Sequence, residues 1–390
     1  QQRRCLMGKN VRLEFVYIQV IAAIYALGAA AVFAQHLPRE NTVKVGWIGP
    51  MTGELAKWGG YQAALIAADE VNAPGMPGPH IEIIFEDGKS QGKDAASAAQ
   101  KLINIDRVKF ILGGQCTRES LAIAPIAERA GVIMLAAITS NPFLTEAGDN
   151  VFRVTAVSTT ASVRLMAFAA KEPSLKSFAV IFEEADYPRP QAEKFRDLVL
   201  QNGLSLTAYQ GFLPGEHDFR SVLTKLKASK PDAVFIATTS PDFAALLLRQ
   251  IRDLGINSKL FGNENTGFAV NSSGLDKNIF NGLVFAASRY DAGRPKARVF
   301  LEKYRTRWQV DALPYGAYTA EPYDALWLLA DTIRRCGSEP AAVKQCLYQT
   351  TRYEGASGVL GFDTNGDAIR DYELLVVRNG IVTPFAELQH

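Results

Sequence analysis

Residues 110–145 read FILGGQCTRESLAIAPIAERAGVIMLAAITSNPFLT. Two short apolar runs, 110–112 and 132–135, each end in a turn of small or hydroxyl-bearing residues, GGQCTRES and AAITSNP. Ser120 stands where an N-cap would start the helix returning between them, and Gly131 stands where that helix would stop. Pro125 would kink this helix, or sit in its first turn where a missing N–H is harmless. Buried strands followed by hydroxyl-rich turns and helix N-termini build an anion-binding rim at the carboxyl ends of a parallel sheet. The stretch therefore reads as one wall of a ligand cleft.

The pattern extends both ways. Before it come strand 43–48, the loop GPMTGELAKWGG, helix 61–73, strand 81–87 and helix 93–106. Tyr61, Leu65, Ala68 and Asn72 share one stripe of the first helix, with Ala64, Ala67 and Val71 beside it, and Ala95, Ala98, Leu102 and Ile105 are expected to face inward from the second. After 150–158 the alternation restarts. Helices 159–171, 190–202, 218–229 and 242–254 are interleaved with strands 178–184, 205–212, 233–239, 259–264 and 282–288. Helices 295–309 and 317–336 follow, and a hairpin-like ending spans 359–384. Alternating βα units imply parallel sheets with right-handed crossovers. At 390 residues two lobes are expected, and a helical return after the second set implies that the chain passes between them more than once.

Composition excludes some partners. The chain is 48% hydrophobic and 21% charged, with a formal charge of +2 and a pI near 8.3. Residues 1–34 carry +3, from Arg3, Arg4, Lys9 and Arg12 against Glu14, so the remainder is −1. No basic footprint for nucleic acid is left. The segment VYIQVIAAIYALGAAAVFA (16–34) follows that basic start and ends with Val32 and Ala34 in the −3 and −1 positions, the layout of a secretory signal peptide. A retained membrane anchor is the alternative. Cleavage after Ala34 would place the protein in the periplasm, and Met7 reads as a start. Of the four cysteines, Cys336 and Cys346 flank the helix break GSEPAAVKQ and read as a local disulfide, with two buried thiols as the alternative. Cys116 is left single and reads as a small buried hydrophobe.

Catalytic and cofactor motifs fail on spacing. Gly46, Gly49 and Gly53 do not match a dinucleotide loop, and Pro50 interrupts them. DTNGD (363–367) resembles a calcium loop, but Gly366 is two places early and Leu374 stands where glutamate is needed. It reads instead as a tight turn. No nucleophile is assembled with a base and an orienting acid, so no enzyme, cofactor or metal is expected. Polar and aromatic residues do collect at strand ends: Trp58, Thr117, Thr139 and Ser140, Tyr187, and Glu264 closing strand 259–264. They would supply hydroxyls and amides for a carboxylate, an acid for an ammonium, and aromatic walls.

The succession of GPMTGELAKWGG, FEDGKSQGKDAASAAQKL, LGGQCTRESLAIAPIAERAGV, ITSNPFL, EEADYPRPQAEKF, TSPDFAALLLRQIRDLG, FGNE and GFDTNGD resembles the branched-chain amino-acid-binding proteins of ABC transporters over about 42–385. The resemblance implies a two-lobed type I periplasmic binding fold, each lobe a parallel sheet with helices on both faces, joined by three crossovers. It implies lobes at 42–157 plus 291–364 and at 158–290 plus 365–390. By the same resemblance Trp58 packs over the cleft, and Thr117, Ile138 (through its backbone) and Ser140 meet the carboxylate and amino groups. Tyr187 then closes from the second lobe and Glu264 pairs with the ammonium. The expected partners are a small amino acid or related carboxylate and a membrane permease, with the protein a monomer. The alternative is a sensing module of the same fold for an aromatic or aliphatic acid or amide. The sequence departs from the family at Arg118 beside Thr117, at Thr239 and Ser240 where an aromatic is common, and at Pro188-Arg189-Pro190. Arg118, Thr239 and Ser240 are thus possible ligand contacts.

Overall fold

The computed structural model describes residues 42–271 and 274–385; the expected signal peptide lies outside them. Strands β1 (Thr42–Gly49), β2 (His80–Asp87), β3 (Phe110–Gly113), β4 (Ile133–Ala136) and β5 (Val151–Arg153) form one sheet in the order β2-β1-β3-β4-β5. β1 to β3, β3 to β4 and β4 to β5 pair in parallel. β3 and β4 are buried at every residue, which is why both read as unbroken apolar runs.

The second sheet contains β6 (Ser177–Glu183), β7 (Ser205–Phe212), β8 (Ala233–Ala237), β9 (Lys259–Gly262) and β10 (Val284–Ser288). A small sheet follows, of β11 (Tyr353–Glu354), β12 (Val359–Phe362) and β13 (Ala368–Ile369). The chain then returns to the second sheet as β14 (Tyr372–Arg378) and β15 (Ile381–Pro384), giving the order β15-β14-β10-β9-β8-β6-β7. β14 and β15 add antiparallel to one side of an otherwise parallel sheet, with β15 at its edge. The hairpin-like ending is therefore two hairpins in two different sheets.

Helix boundaries follow local chemistry. The helix between β3 and β4 is Thr117–Arg129, with Cys116 at its N-cap rather than Ser120. Glu119, in the third helical position, reaches back to accept from the Gln115 amide at 2.9 Å, much as in a capping box. Ser120 is free of capping and bonds the Thr139 hydroxyl instead. Gly131 follows the helix with φ +66°, the left-handed stop that glycine provides. Pro125 lies in the helix interior, where it deprives the Leu121 carbonyl of its partner.

Helix Gly60–Val71 buries Ala63, Ala64, Ala67 and Val71, a stripe displaced from the expected Tyr61, Leu65, Ala68 and Asn72. Alanines on this face let it pack against helix Ala317–Cys336, while Tyr61 lies on Trp47 and Phe85. Helix Gly92–Asn104 ends before Ile105, which is 72% exposed and not inward-facing. β9 ends at Gly262, so Glu264 does not close the strand. It opens a short helix, Glu264–Phe268, because the Asn263 side chain accepts from Thr266 N at 3.1 Å and turns the chain.

The chain passes between the two lobes three times, after β5, after β10 and after β13. Arg370 ties these passages together. Its guanidinium donates to the Val154 carbonyl at 2.9 Å, to Glu321 Oε1 at 3.1 Å and to the Ser357 carbonyl at 2.8 Å. The Tyr372 hydroxyl donates to the Ala156 carbonyl at 3.2 Å, and the Arg289 amide to the Asp371 carbonyl at 3.2 Å. Cys336 and Cys346 are joined, with Cα atoms 6.6 Å apart, pinning helix Pro340–Tyr348 to the end of helix Ala317–Cys336. Among the described residues no helix is long and apolar enough to cross a membrane.

Candidate ligand-binding cleft

Both large sheets turn their carboxyl ends toward a shared cavity of about 260 Å³. Trp58, Thr117, Arg118, Ile138, Thr139, Ser140, Tyr187, Thr239 and Glu264 all line it. Ser240 does not: its hydroxyl caps helix Pro241–Asp253 by accepting from Phe243 N at 3.4 Å. Sequence reading missed Gln115, Glu183, Asn265 and Tyr318. The first three adjoin segments already singled out. Tyr318 arrives from helix Ala317–Cys336, distant in the chain, and no local pattern marks it.

The first lobe supplies hydrogen-bond donors. Thr117 is 5% exposed and opens its helix, whose first amides point out of the turn. Gln115 is buried, and its Nε2 has no partner among the described residues. Gly60 makes room for it, since a Cβ there would come within 1.9 Å of Gln115 Oε1. Thr139 joins the two turns, donating to the Gly114 carbonyl at 3.4 Å and meeting Ser120. Glu119 underlies this rim. Its carboxylate accepts from Gln115 N and from Ser90 N at 3.0 Å, while burial pushes its pKa up to about 7.

Aromatic rings form a wall across the lobes. Trp58 stacks on Tyr315 at 4.3 Å and meets Tyr318 edge-on at 5.8 Å and Phe268 of the second lobe at 6.4 Å. Its Nε1 is buried without a partner among the described residues. Polar contacts also bridge the lobes, among them the Ser288 amide donating to the Tyr318 hydroxyl at 3.1 Å. Lys57 Nζ lies 2.5 Å from Asp242 Oδ2, and Asn141 Nδ2 donates to the Asp186 carbonyl at 2.6 Å.

The second lobe supplies acceptors. Glu264 is 2% exposed, and burial raises its carboxyl above the usual range against the opposing hydrogen bond from Tyr187. Its Oε2 has no partner among the described residues. Arg118 is exposed at the mouth and paired with Glu54 at 3.3 Å, so its charge is already met. Burial pushes the Cys116 thiol far up, the opposite of an activated nucleophile. Among the described residues no group of three His, Cys, Asp or Glu side chains is placed to hold a metal ion.

Two α/β lobes, three passages and a cleft at the carboxyl ends of both sheets define a type I solute-binding fold. The chain belongs to the periplasmic binding protein family, whose model matches residues 42–380. It is similar to the leucine-, isoleucine-, valine-, threonine- and alanine-binding protein of Pseudomonas aeruginosa. The two are 27% identical over 363 residues, covering 92% of this chain and 95% of that protein. Among solved structures, a leucine-binding protein of Thermotoga maritima superposes with a TM-score of 0.78 at 29% identity, over 88% of this chain and 97% of its own. A solute-binding protein from Rhodopseudomonas palustris in complex with 3,4-dihydroxybenzoic acid gives 0.75 at 23% identity, over 87% and 94%.

Proposed function

We propose that this protein is exported to the periplasm, captures an amino acid as its zwitterion between the lobes, and delivers it to an ABC permease. The observation that carries the ligand assignment is the buried, unpartnered Glu264 Oε2 facing a wall of donors at Thr117 and Gln115. A buried zwitterion is stable only when both charges are met. In this reading the helix start at Thr117, with Ser140 and the Ile138 backbone, takes the carboxylate. Glu264 takes the ammonium, and Tyr187 and Trp58 close over the ligand. Closure is a hinge motion about the three passages.

The test is calorimetry on refolded, ligand-free protein with leucine, threonine, glutamine, arginine and 4-hydroxybenzoate as probes. At least one amino acid binds, and Glu264→Gln weakens it by on the order of 2–5 kcal/mol. A second reading, an aromatic carboxylate, draws on the rings of Trp58, Tyr187 and Tyr318 and on the benzoate-type ligand of the Rhodopseudomonas relative. In that case 4-hydroxybenzoate binds, the amino acids do not, and Glu264→Gln changes little.

A further inference from the structure

Glu264 accounts for one acid of the cleft, but the rim of the second lobe carries more. Along the order β9-β8-β6, Glu264 follows β9, Thr239 follows β8 and Glu183 ends β6. Paired strands lie about 4.8 Å apart, so the ends of β9 and β6 are separated by roughly 10 Å. Glu183 is 2% exposed, and its Oε2 accepts from Thr239 N at 2.9 Å and from Thr239 Oγ1 at 2.6 Å. Asn265 Nδ2 donates to the Thr239 carbonyl at 2.8 Å and the Thr238 carbonyl at 3.2 Å. These bonds fix the amide, because flipping it would set oxygen against two carbonyls. Asn265 Oδ1 is thus presented as an acceptor, and it is buried without a partner among the described residues.

The charges agree. Glu184 is paired with Arg189, and Arg118 with Glu54. Glu183 and Glu264 make no ion pair among the described residues, so the cleft holds one buried acid more than an α-ammonium needs.

We propose that Glu183, Thr239 and Asn265 form a second subsite, which binds an N–H or O–H donor on the side chain of the amino acid held at Glu264. The inference rests on the zwitterion reading above. An aliphatic side chain would dehydrate Glu183 and leave Asn265 Oδ1 unsatisfied. A hydroxyl, amide or cationic nitrogen at the end of a mid-length side chain meets both.

Calorimetry with the same five probes tests it. Glutamine or arginine binds at least about tenfold tighter than leucine, and Glu183→Gln and Thr239→Val each shrink that ratio. Circular dichroism on each variant reports whether it is folded. Leucine binding as tightly as the donor-bearing amino acids, or an unchanged ratio in both folded variants, overturns the subsite and leaves the zwitterion reading standing. Binding of 4-hydroxybenzoate with no amino acid bound overturns both.

Discussion

Glu264 sits where water cannot solvate its charge, so its carboxyl gives up a proton reluctantly. Binding an ammonium needs the ionised form. Affinity for a zwitterion should therefore rise with pH through the raised pKa of Glu264 and level off above it, as calorimetry across pH would show. A plain acid would bind with the opposite trend. Glu119 gives a linkage that needs no ligand. Its folded-state pKa is raised from 4.5 to about 7, so its contribution to stability is fully present below 4.5 and is lost as pH rises to about 7. The size is on the order of 3 kcal/mol at most. Urea midpoints between pH 4.5 and 7.5 should fall more steeply for the native protein than for Glu119→Gln; equal slopes would remove Glu119 from the account. Thr117, Tyr187 and Glu264 were legible because each follows a strand. Asn265 was not, since its role depends on carbonyls at 238 and 239 brought near by strand pairing.

At the scale of elements, sequence periodicity located most helices and strands but misjudged some of their ends. Ser120 looked like a cap, yet the side chain that tied off the helix start was Glu119, acting from inside it. Gly262-Asn263-Glu264 looked like the end of a strand, yet Asn263 turned the chain into a helix. Both errors arose where a side chain competed with backbone pairing. On helix Gly60–Val71 the buried face centres on Ala63, Ala64, Ala67 and Val71, beside the expected Tyr61 stripe, where helix Ala317–Cys336 packs against it. The short cross-link between Cys336 and Cys346 belongs to this scale. Replacing both cysteines by serine should lower stability by about 2–3 kcal/mol, the loop entropy of so short a closure. Denaturation with and without reductant would check this, and the serine variant should be insensitive to reductant.

For the whole molecule, alternation of strands and helices announced two lobes. What holds the passages between them could not be read in advance. Arg370 binds Val154, Ser357 and Glu321, residues up to 216 positions away in the chain. Removing it takes the cation away from the buried Glu321, whose carboxyl burial pushes up to about 8 even with Arg370 in place. Arg370→Ala should cost about 3–5 kcal/mol, and the paired change Arg370→Met with Glu321→Leu should cost less. Thermal denaturation of the two variants would rank them. Contacts across the mouth are weaker: Lys57 and Asp242 are 43% and 65% exposed, so Lys57→Ala should change stability by no more than about 1 kcal/mol.

Mass spectrometry of the small molecule released by denaturing natively purified protein would identify the ligand outright. A compound carrying both an amine and a carboxylate is expected, matched to Glu264 and to the donors around Thr117. A carboxylic acid without an amine, such as a hydroxybenzoate, would contradict it.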